Sequence, residues 1–186
     1  LWVAVYFYPM PVDLIFIVAI GYASQLAYKR KLDKKMILPL LYPTASFVFL
    51  ISLYSEFGVM VLFWLLIIVA ATDTGAYFAG KTFGRTPFCE TSPNKTLEGV
   101  VGGMIFAVIM GIFTSINEVG ILGAIIVSAI VSLSSVFGDL YESYLKREAG
   151  VKDSGNILPG HGGVLDRVDG YLFGAIVMLV LLRIII

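Results

Sequence analysis

Residues 57–80 read FGVMVLFWLLIIVAATDTGAYFAG, with a single charge, Asp73, in the whole run. Crossing a bilayer takes about 20 apolar residues at ~1.5 Å of rise each, so Phe57 to Gly80 is long enough to span one. Similar runs lie on both sides. They cover roughly Val12 to Tyr28 and Met36 to Tyr54 before it, and Val100 to Ile116, Gly120 past Phe137, and Val168 to Ile186 after it. Leu1 to Tyr8 reads as the tail of an earlier span, so an N-terminal part is expected to precede the chain. No basic stretch or small-residue cleavage site marks that tail as a signal peptide. The expected fold is all-α, a polytopic integral membrane helical bundle of about six spans plus the tail. Composition agrees: the 186 residues are 59% apolar and 14% charged, whereas soluble domains carry about a quarter charged residues. Mean hydropathy is +0.92. A formal net charge of zero offers nucleic acid no bulk attraction, and none is expected as a partner. Cys89 stands alone and cannot close an intrachain disulfide.

The connections alternate in character. Lys29-Arg30-Lys31-Leu32-Asp33-Lys34-Lys35 joins the first two spans, Lys81, Arg85 and Lys95 lie between the third and fourth, and Lys146, Arg147, Lys152 and Arg167 lie between the fifth and sixth. The other connections, Ser55-Glu56 and Asn117-Glu118, are short and hold no Lys or Arg. Basic connections are thus two crossings apart and fall on one side, which the positive-inside rule makes cytoplasmic. Of the 13 Lys and Arg residues only Arg183 departs from this pattern.

Some charges sit where they are expensive. Asp73 lies deep in the third span, toward its cytoplasmic end, and Asp139 lies at matching depth in the fifth. A carboxylate there costs several kcal/mol unless paired, solvated or bound to a cation; the plain alternative for Asp73 is a structural pair with a lysine or a Ser/Thr cap. Asp139, Glu142, Ser143 and Lys146 follow helical spacing and share one face. Asp166 and Asp169 are again three apart, at the start of the sixth span. Asp166 also suits a helix N-cap; Asp169, one turn deeper, does not. Carboxylates converging at a membrane–water boundary suit Mg²⁺, which prefers oxygen ligands and keeps substrate phosphates in its shell.

The segment Lys152 to Arg167 adds Gly160, Gly162 and Gly163, where a ligand reaches main-chain N–H groups. Lys146, Arg147, Lys152 and Arg167 supply positive charge for phosphate oxygens. His161 is the only histidine, and a lone histidine is more often structural than a metal ligand. On the same side, Ser92-Pro93-Asn94-Lys95-Thr96-Leu97-Glu98-Gly99 offers Lys95, Ser92 and Thr96 to phosphates, with Glu98 either binding a cation or fixing Lys95. A turn followed by a capped helix start gives the same string. It is not a Walker A loop, because the GK[ST] ending is absent.

These residues carry a resemblance. Ser143-x-Leu-Lys-Arg-x4-Lys152-Asp153-x-Gly155-x2-Leu158-Pro159-x-His161-Gly162-Gly163-x-Leu-Asp166-Arg167-x-Asp169 resembles the signature of phosphatidate cytidylyltransferases, the CDP-diacylglycerol synthases, over 27 residues. The Ser-Pro-Asn-Lys-Thr-x-Glu-Gly string resembles a second family element, usually written with Lys where Asn94 stands, which leaves Lys95 as the phosphate contact. Asp73-Thr74-Gly75-Ala76-Tyr77 resembles a third. The resemblance runs from about Phe57 to the C-terminus; the first two spans match only in being hydrophobic. It divides the chain into N-terminal membrane helices, 1–56, and a catalytic membrane domain, 57–186, with its site on the cytoplasmic face.

What the resemblance implies is transfer of the cytidylyl group of CTP to phosphatidic acid, giving CDP-diacylglycerol and pyrophosphate for phospholipid biosynthesis. It implies Asp139, Asp166 and Asp169 as the Mg²⁺ site, with a second cation such as K⁺ beside it. Asp139, Asp166, Asp169, Lys146 and Arg167 are the expected catalytic residues. Ser92, Lys95, Thr96, Arg147, Lys152, His161, Gly162 and Gly163 are expected to hold substrate phosphates, and Asp73, Glu98 and Glu142 are further acidic candidates. The expected partners are CTP, phosphatidic acid, membrane lipids and a second copy in a homodimer. The expected place is the bacterial inner membrane, with the site facing the cytoplasm. Two other readings stay open. A CTP-dependent polyprenol or lipid kinase would release CDP and form no CDP-lipid. A non-enzymatic ion-coupled transporter would use Asp73 and Asp139 as buried acids, but would more often break its helices near the midplane. The alcohol-phosphotransferase pattern DG-x2-AR is absent.

Overall fold

The computed structural model describes residues 40–89, 91–155 and 162–186, together with Ile20 and Ser24. Apart from Ile20 and Ser24, the expected first span lies outside the described residues, as do the basic loop after it and His161. A kinked π-type turn, Leu40–Ala45, leads into α1, Ser46–Phe57. Then come α2, Val59–Phe83; α3, Leu97–Thr114; a 3₁₀ turn, Asn117–Val119; α4, Gly120–Glu148; and α5, Leu165–Ile185. There is no strand among the described residues, only an isolated bridge between Pro87 and Thr96.

Four helical segments are long and apolar enough to cross a membrane: Val59–Phe83, Leu97–Thr114, Asn117–Glu148 and Leu165–Ile185. They correspond to the third to sixth expected spans, each somewhat longer at its charged end. The second expected span, Met36 to Tyr54, is not one continuous helix. Tyr42 is extended (φ −141°, ψ 122°) and Pro43 follows it. A residue before proline is driven out of the helical region by the proline ring, so the regular helix begins only at Ser46.

Glycine sets the reversals and the close approaches. Gly58, at φ 80°, separates α1 from α2 in a single residue, and its N–H still donates to the Tyr54 carbonyl at 2.8 Å. In lipid there is no hydrophobic drive between helices, so small residues that let backbones touch hold a bundle together. α2 and α3 show this. A Cβ on Gly75 would stand 2.8 Å from Phe106 Cβ, and one on Gly103 would stand 2.6 Å from the Thr72 carbonyl oxygen. The interior is filled by Leu53, Trp64, Leu65, Ile68, Met178, Leu179 and Leu182, all essentially inaccessible. Phe63, Phe78, Ile105, Phe113 and Ile121 face outward, the surface an integral membrane protein gives to lipid.

Candidate active site

The C-terminal halves of α2 and α4 and the first turns of α3 and α5 share one end of the bundle, and the charged residues gather there. On α4, Asp139 and Glu142 are one turn apart; Asp169 comes from the second turn of α5. One carboxylate oxygen from each of the three lies within 4.8 Å of the others. Glycine permits the meeting. A Cβ on Gly138 would fall 2.6 Å from the Asp169 carbonyl oxygen, and one on Gly170 would sit 3.4 Å from Ser135 Cβ. The residues beside the two carboxylates are thus the ones that let α4 and α5 touch. The sequence points to Asp139, Asp166 and Asp169 as the metal ligands, with Glu142 a further acidic candidate; in the structure Glu142, not Asp166, joins Asp139 and Asp169.

Glu142 is 1% exposed, and neither of its oxygens has a hydrogen-bond partner; Oε2 meets the Lys146 ammonium only as an ion pair. A buried carboxylate in that state is costly. A hard cation taking oxygen ligands removes the cost. Oxygens on opposite sides of a Mg²⁺ stand about 4 Å apart, so the three carboxylates need only a small closure. Asp139, Glu142 and Asp169 therefore fit such an ion.

Asp166 belongs to a different arrangement. Its Oδ1 accepts from Lys146 Nζ at 2.7 Å. Its Oδ2 accepts from Ser154 N–H (2.9 Å), Ser154 O–H (2.8 Å) and Gly163 N–H (2.7 Å). Val164 is the residue before α5, and its side chain makes no cap, so Asp166 is no N-cap. It lies in the first turn and clamps the connection from α4 back onto α5. Gly162 is part of the clamp: at φ 80°, a Cβ there would meet Asp166 Oδ2 at 2.8 Å. Lys146, between Glu142 and Asp166, ties the clamp to the carboxylate group.

The α2–α3 connection is built like a hairpin. Ser92-Pro93-Asn94-Lys95 forms a β-turn, with Lys95 N–H donating to the Ser92 carbonyl at 3.0 Å. Proline second in the turn pre-sets its backbone. Phe88 N–H donates to the Lys95 carbonyl (2.8 Å) and Leu97 N–H to the Thr86 carbonyl (2.9 Å). The Phe88 ring rests near that of Phe137, 6.3 Å between centroids. Thr96 caps α3, accepting Gly99 N–H at 3.1 Å, so its hydroxyl is engaged locally. Glu98 accepts from Arg85 N–H (3.1 Å), Thr86 N–H (3.2 Å) and the Thr86 hydroxyl (2.9 Å). It fixes the start of the connection rather than Lys95. Lys95 instead forms an ion pair with Asp139 Oδ2, whose Oδ1 takes a long contact of 3.4 Å from Ser143 O–H.

A cleft of about 440 Å³ opens beside this pair, lined by Asp73, Tyr77, Lys81, Asn94, Lys95 and Asp139 among others. Asp73 is deep in α2 by position, yet its side chain is accessible because it faces this cleft. Arg147, Lys152 and Arg167 are exposed on the same end; Arg147 donates to the Val151 carbonyl at 3.3 Å. Tyr42 was missed by the sequence reading. Its ring packs edge-on against Tyr141 (5.2 Å) and Phe173 (5.8 Å), and its buried hydroxyl has no partner. It lies within electrostatic range of Asp169, Glu142 and Asp139. A tyrosine before a proline signals only an extended backbone, so nothing local marks it.

Comparison with known proteins agrees. A model of the cytidylyltransferase family matches residues 3–185. A phosphatidate cytidylyltransferase of Helicobacter pylori J99 is 51% identical over 97% of this chain and 69% of its own length. The protein of that name from Helicobacter pylori 26695 is 50% identical over 94% of this chain and 66% of its own. That of Bacillus subtilis 168 is 44% identical over 63% of this chain and 45% of its own. The chain thus spans about two thirds of the length of the two Helicobacter relatives and less than half of the Bacillus one. With a family match along nearly its whole length and relatives about half identical over most of it, the chain belongs to the cytidylyltransferase family.

Proposed function

We propose that the protein transfers the cytidylyl group of CTP to phosphatidic acid, forming CDP-diacylglycerol and releasing pyrophosphate. The observation that carries this is the meeting of Asp139, Glu142 and Asp169 beside a cleft walled by Lys95, at the end of the bundle where a lipid phosphate and a soluble nucleotide can both arrive. The activity in the names of relatives about half identical supports the same substrates. A phosphate oxygen of phosphatidate forms a bond to the α-phosphorus of CTP. The bond from that phosphorus to the bridging oxygen breaks, and the electron pair leaves with pyrophosphate.

Such a transfer depends on position and charge more than on covalent chemistry by the protein. Asp139, Glu142 and Asp169 would hold Mg²⁺, which neutralises charge on the phosphates when bound. Asp166 holds Ser154 and Gly163 at the first turn of α5, and Lys146 holds Glu142 and Asp166 in register. The exposed Arg147, Lys152 and Arg167 meet anionic substrate or headgroup oxygens. The first turn of α3 adds the positive end of its dipole beside the cleft. The basic end faces the cytoplasm of a bacterial inner membrane by the positive-inside rule.

Purified protein in detergent, given Mg²⁺, phosphatidate and CTP labelled at the α-phosphate, should move the label into lipid. Label that stays in nucleotide sinks the proposal. Release of CDP with a phosphorylated lipid alcohol would instead make the protein a kinase.

A further inference from the structure

The Lys95 ammonium stands on one of the carboxylates that would hold the cation. Its backbone cannot follow the side chain anywhere. The Lys95 N–H is bonded to the Ser92 carbonyl, and the Lys95 carbonyl takes Phe88 N–H. The hairpin is held further by Leu97 on Thr86, by Glu98 on Arg85 and Thr86, and by Phe88 beside Phe137. Only the lysine's own torsions are free. Turning away from Asp139, the ammonium stays in the cleft whose wall includes Asn94, Lys81 and Lys95 itself.

We infer that Lys95 is an exchangeable stand-in for the divalent cation: it neutralises Asp139 until Mg²⁺ arrives, is displaced from it, and then grips the substrate's phosphates. The inference rests on the proposed reading of Asp139 as a Mg²⁺ ligand and gives Lys95 two successive partners. Three reasons support it. Asp139 shares its neighbourhood with Glu142 and Asp169, and Lys146 is already committed to Glu142 and Asp166, so among the described residues it is the Lys95 ammonium that offsets the repulsion at Asp139. A divalent ion on the same carboxylate repels a neighbouring ammonium and removes its reason to stay. The released ammonium stays in a partly enclosed cleft where Asp73 is the remaining carboxylate on the wall, and a phosphate oxygen arriving there gives it a further, charge-assisted partner. Metal binding would thereby make the phosphate grip, so the cation and the phosphates bind cooperatively with no movement of the backbone.

The test follows Lys95 itself rather than turnover. The full chain in detergent is treated with an amine-acylating reagent, and modification of Lys95 is followed by peptide mass spectrometry, with Lys81 on the same cleft as the internal reference. Saturating Mg²⁺ should speed modification of Lys95 several-fold relative to Lys81, and adding pyrophosphate should slow it again. In calorimetry, Lys95→Gln should bind Mg²⁺ about tenfold more tightly than the unsubstituted chain, because a competing charge is gone. The same variant should lose the gain in pyrophosphate affinity that Mg²⁺ confers. Mg²⁺ binding with Lys95 reactivity unchanged overturns the exchange and leaves the metal site standing, as does weaker Mg²⁺ binding by Lys95→Gln. No Mg²⁺ binding by the unsubstituted chain overturns the carboxylate site, and the exchange with it. The labelling arm needs no substitution, so a variant that fails to fold does not spoil the test.

Discussion

The two ends of the bundle use the same interaction for opposite purposes. At one end, Lys95 and Lys146 pair with Asp139, Glu142 and Asp166 from three segments, and the carboxylates outnumber the ammonium groups. At the other, Arg183 Nε donates to Glu56 at 2.8 Å in a two-pronged pair, one charge to one charge. The first end is unbalanced, and Glu142 is left buried without a hydrogen bond. The second is closed. An ion pair that completes its own neutralisation fastens helices; a group that does not is prepared for a further ion. The largest expected effects therefore lie at the unbalanced end.

Asp169→Asn removes one carboxylate of the group of three, at the α4–α5 crossing. Cytidylyl transfer should fall roughly 100-fold or more, with Mg²⁺ affinity falling alongside it. The variant should still fold and insert, since Asn keeps the shape. Near-normal turnover would remove Asp169 from the site and leave the two ends chemically alike.

Asp166→Asn sharpens the contrast within one helix turn. Its carboxylate binds Lys146, Ser154 and Gly163 rather than joining the group of three. Activity should fall about 10- to 100-fold, as for groups that orient ligands. Mg²⁺ affinity should change far less than in Asp169→Asn, and protease cleavage of 149–155 should quicken. Equal loss of Mg²⁺ binding in both variants would make Asp166 a ligand. Gly138→Ala comes next. Its Cβ would have to push the Asp169 carbonyl away from 2.6 Å. Overpacking of this kind costs about 1–3 kcal/mol, and Mg²⁺ binding should weaken about tenfold because α4 and α5 part at the carboxylates. A thermal shift with unchanged Mg²⁺ affinity would show that the crossing is structural only.

Much of this was legible because membranes make charge expensive. Asp73 and Asp139 stand out in the sequence as carboxylates too deep to be solvated cheaply, Asp169 as one set a turn deeper than an N-cap, and the alternating basic connections put all three toward the same end. The roles of Asp166 and Glu98 were not legible. A carboxylate that clamps backbone N–H groups and one that binds a cation look alike in sequence; the N–H groups that decide between them lie 12 residues away for Ser154 and 12 to 13 for Thr86 and Arg85. Glu142 carried the right helical spacing but nothing to show that it would be the most buried of the group. Lys95 and Asp139 are 44 residues apart, and no local pattern joins them. Tyr42 depends on ring contacts with residues from two later helices. The kink before α1 has a local cause, Pro43, which hydrophobicity alone overrode.

Arg183 was the one basic residue at odds with the charge pattern, and the closed end explains it. Its guanidinium ties the end of α5 to Glu56 at the end of α1, on the side without other Lys or Arg among the described residues. The hydrogen bond from Arg183 holds the Glu56 carboxyl below its ordinary value of 4.5. A lowered folded-state value means that the pair's contribution is fully present above the unfolded value and is lost as pH falls through the folded one. Both side chains are well exposed, so the contribution is small, about 0.2–1 kcal/mol for a pair of this kind. Glu56→Gln should lower thermal stability slightly at pH 7, and the difference from the unsubstituted chain should vanish as the pH is taken well below 4.5. Mg²⁺ binding and cytidylyl transfer should be unchanged, because the pair is at the opposite end from the carboxylate group. A loss of Mg²⁺ affinity in Glu56→Gln would mean that the two ends are coupled through α5, and the division of labour between a balanced and an unbalanced end would fail.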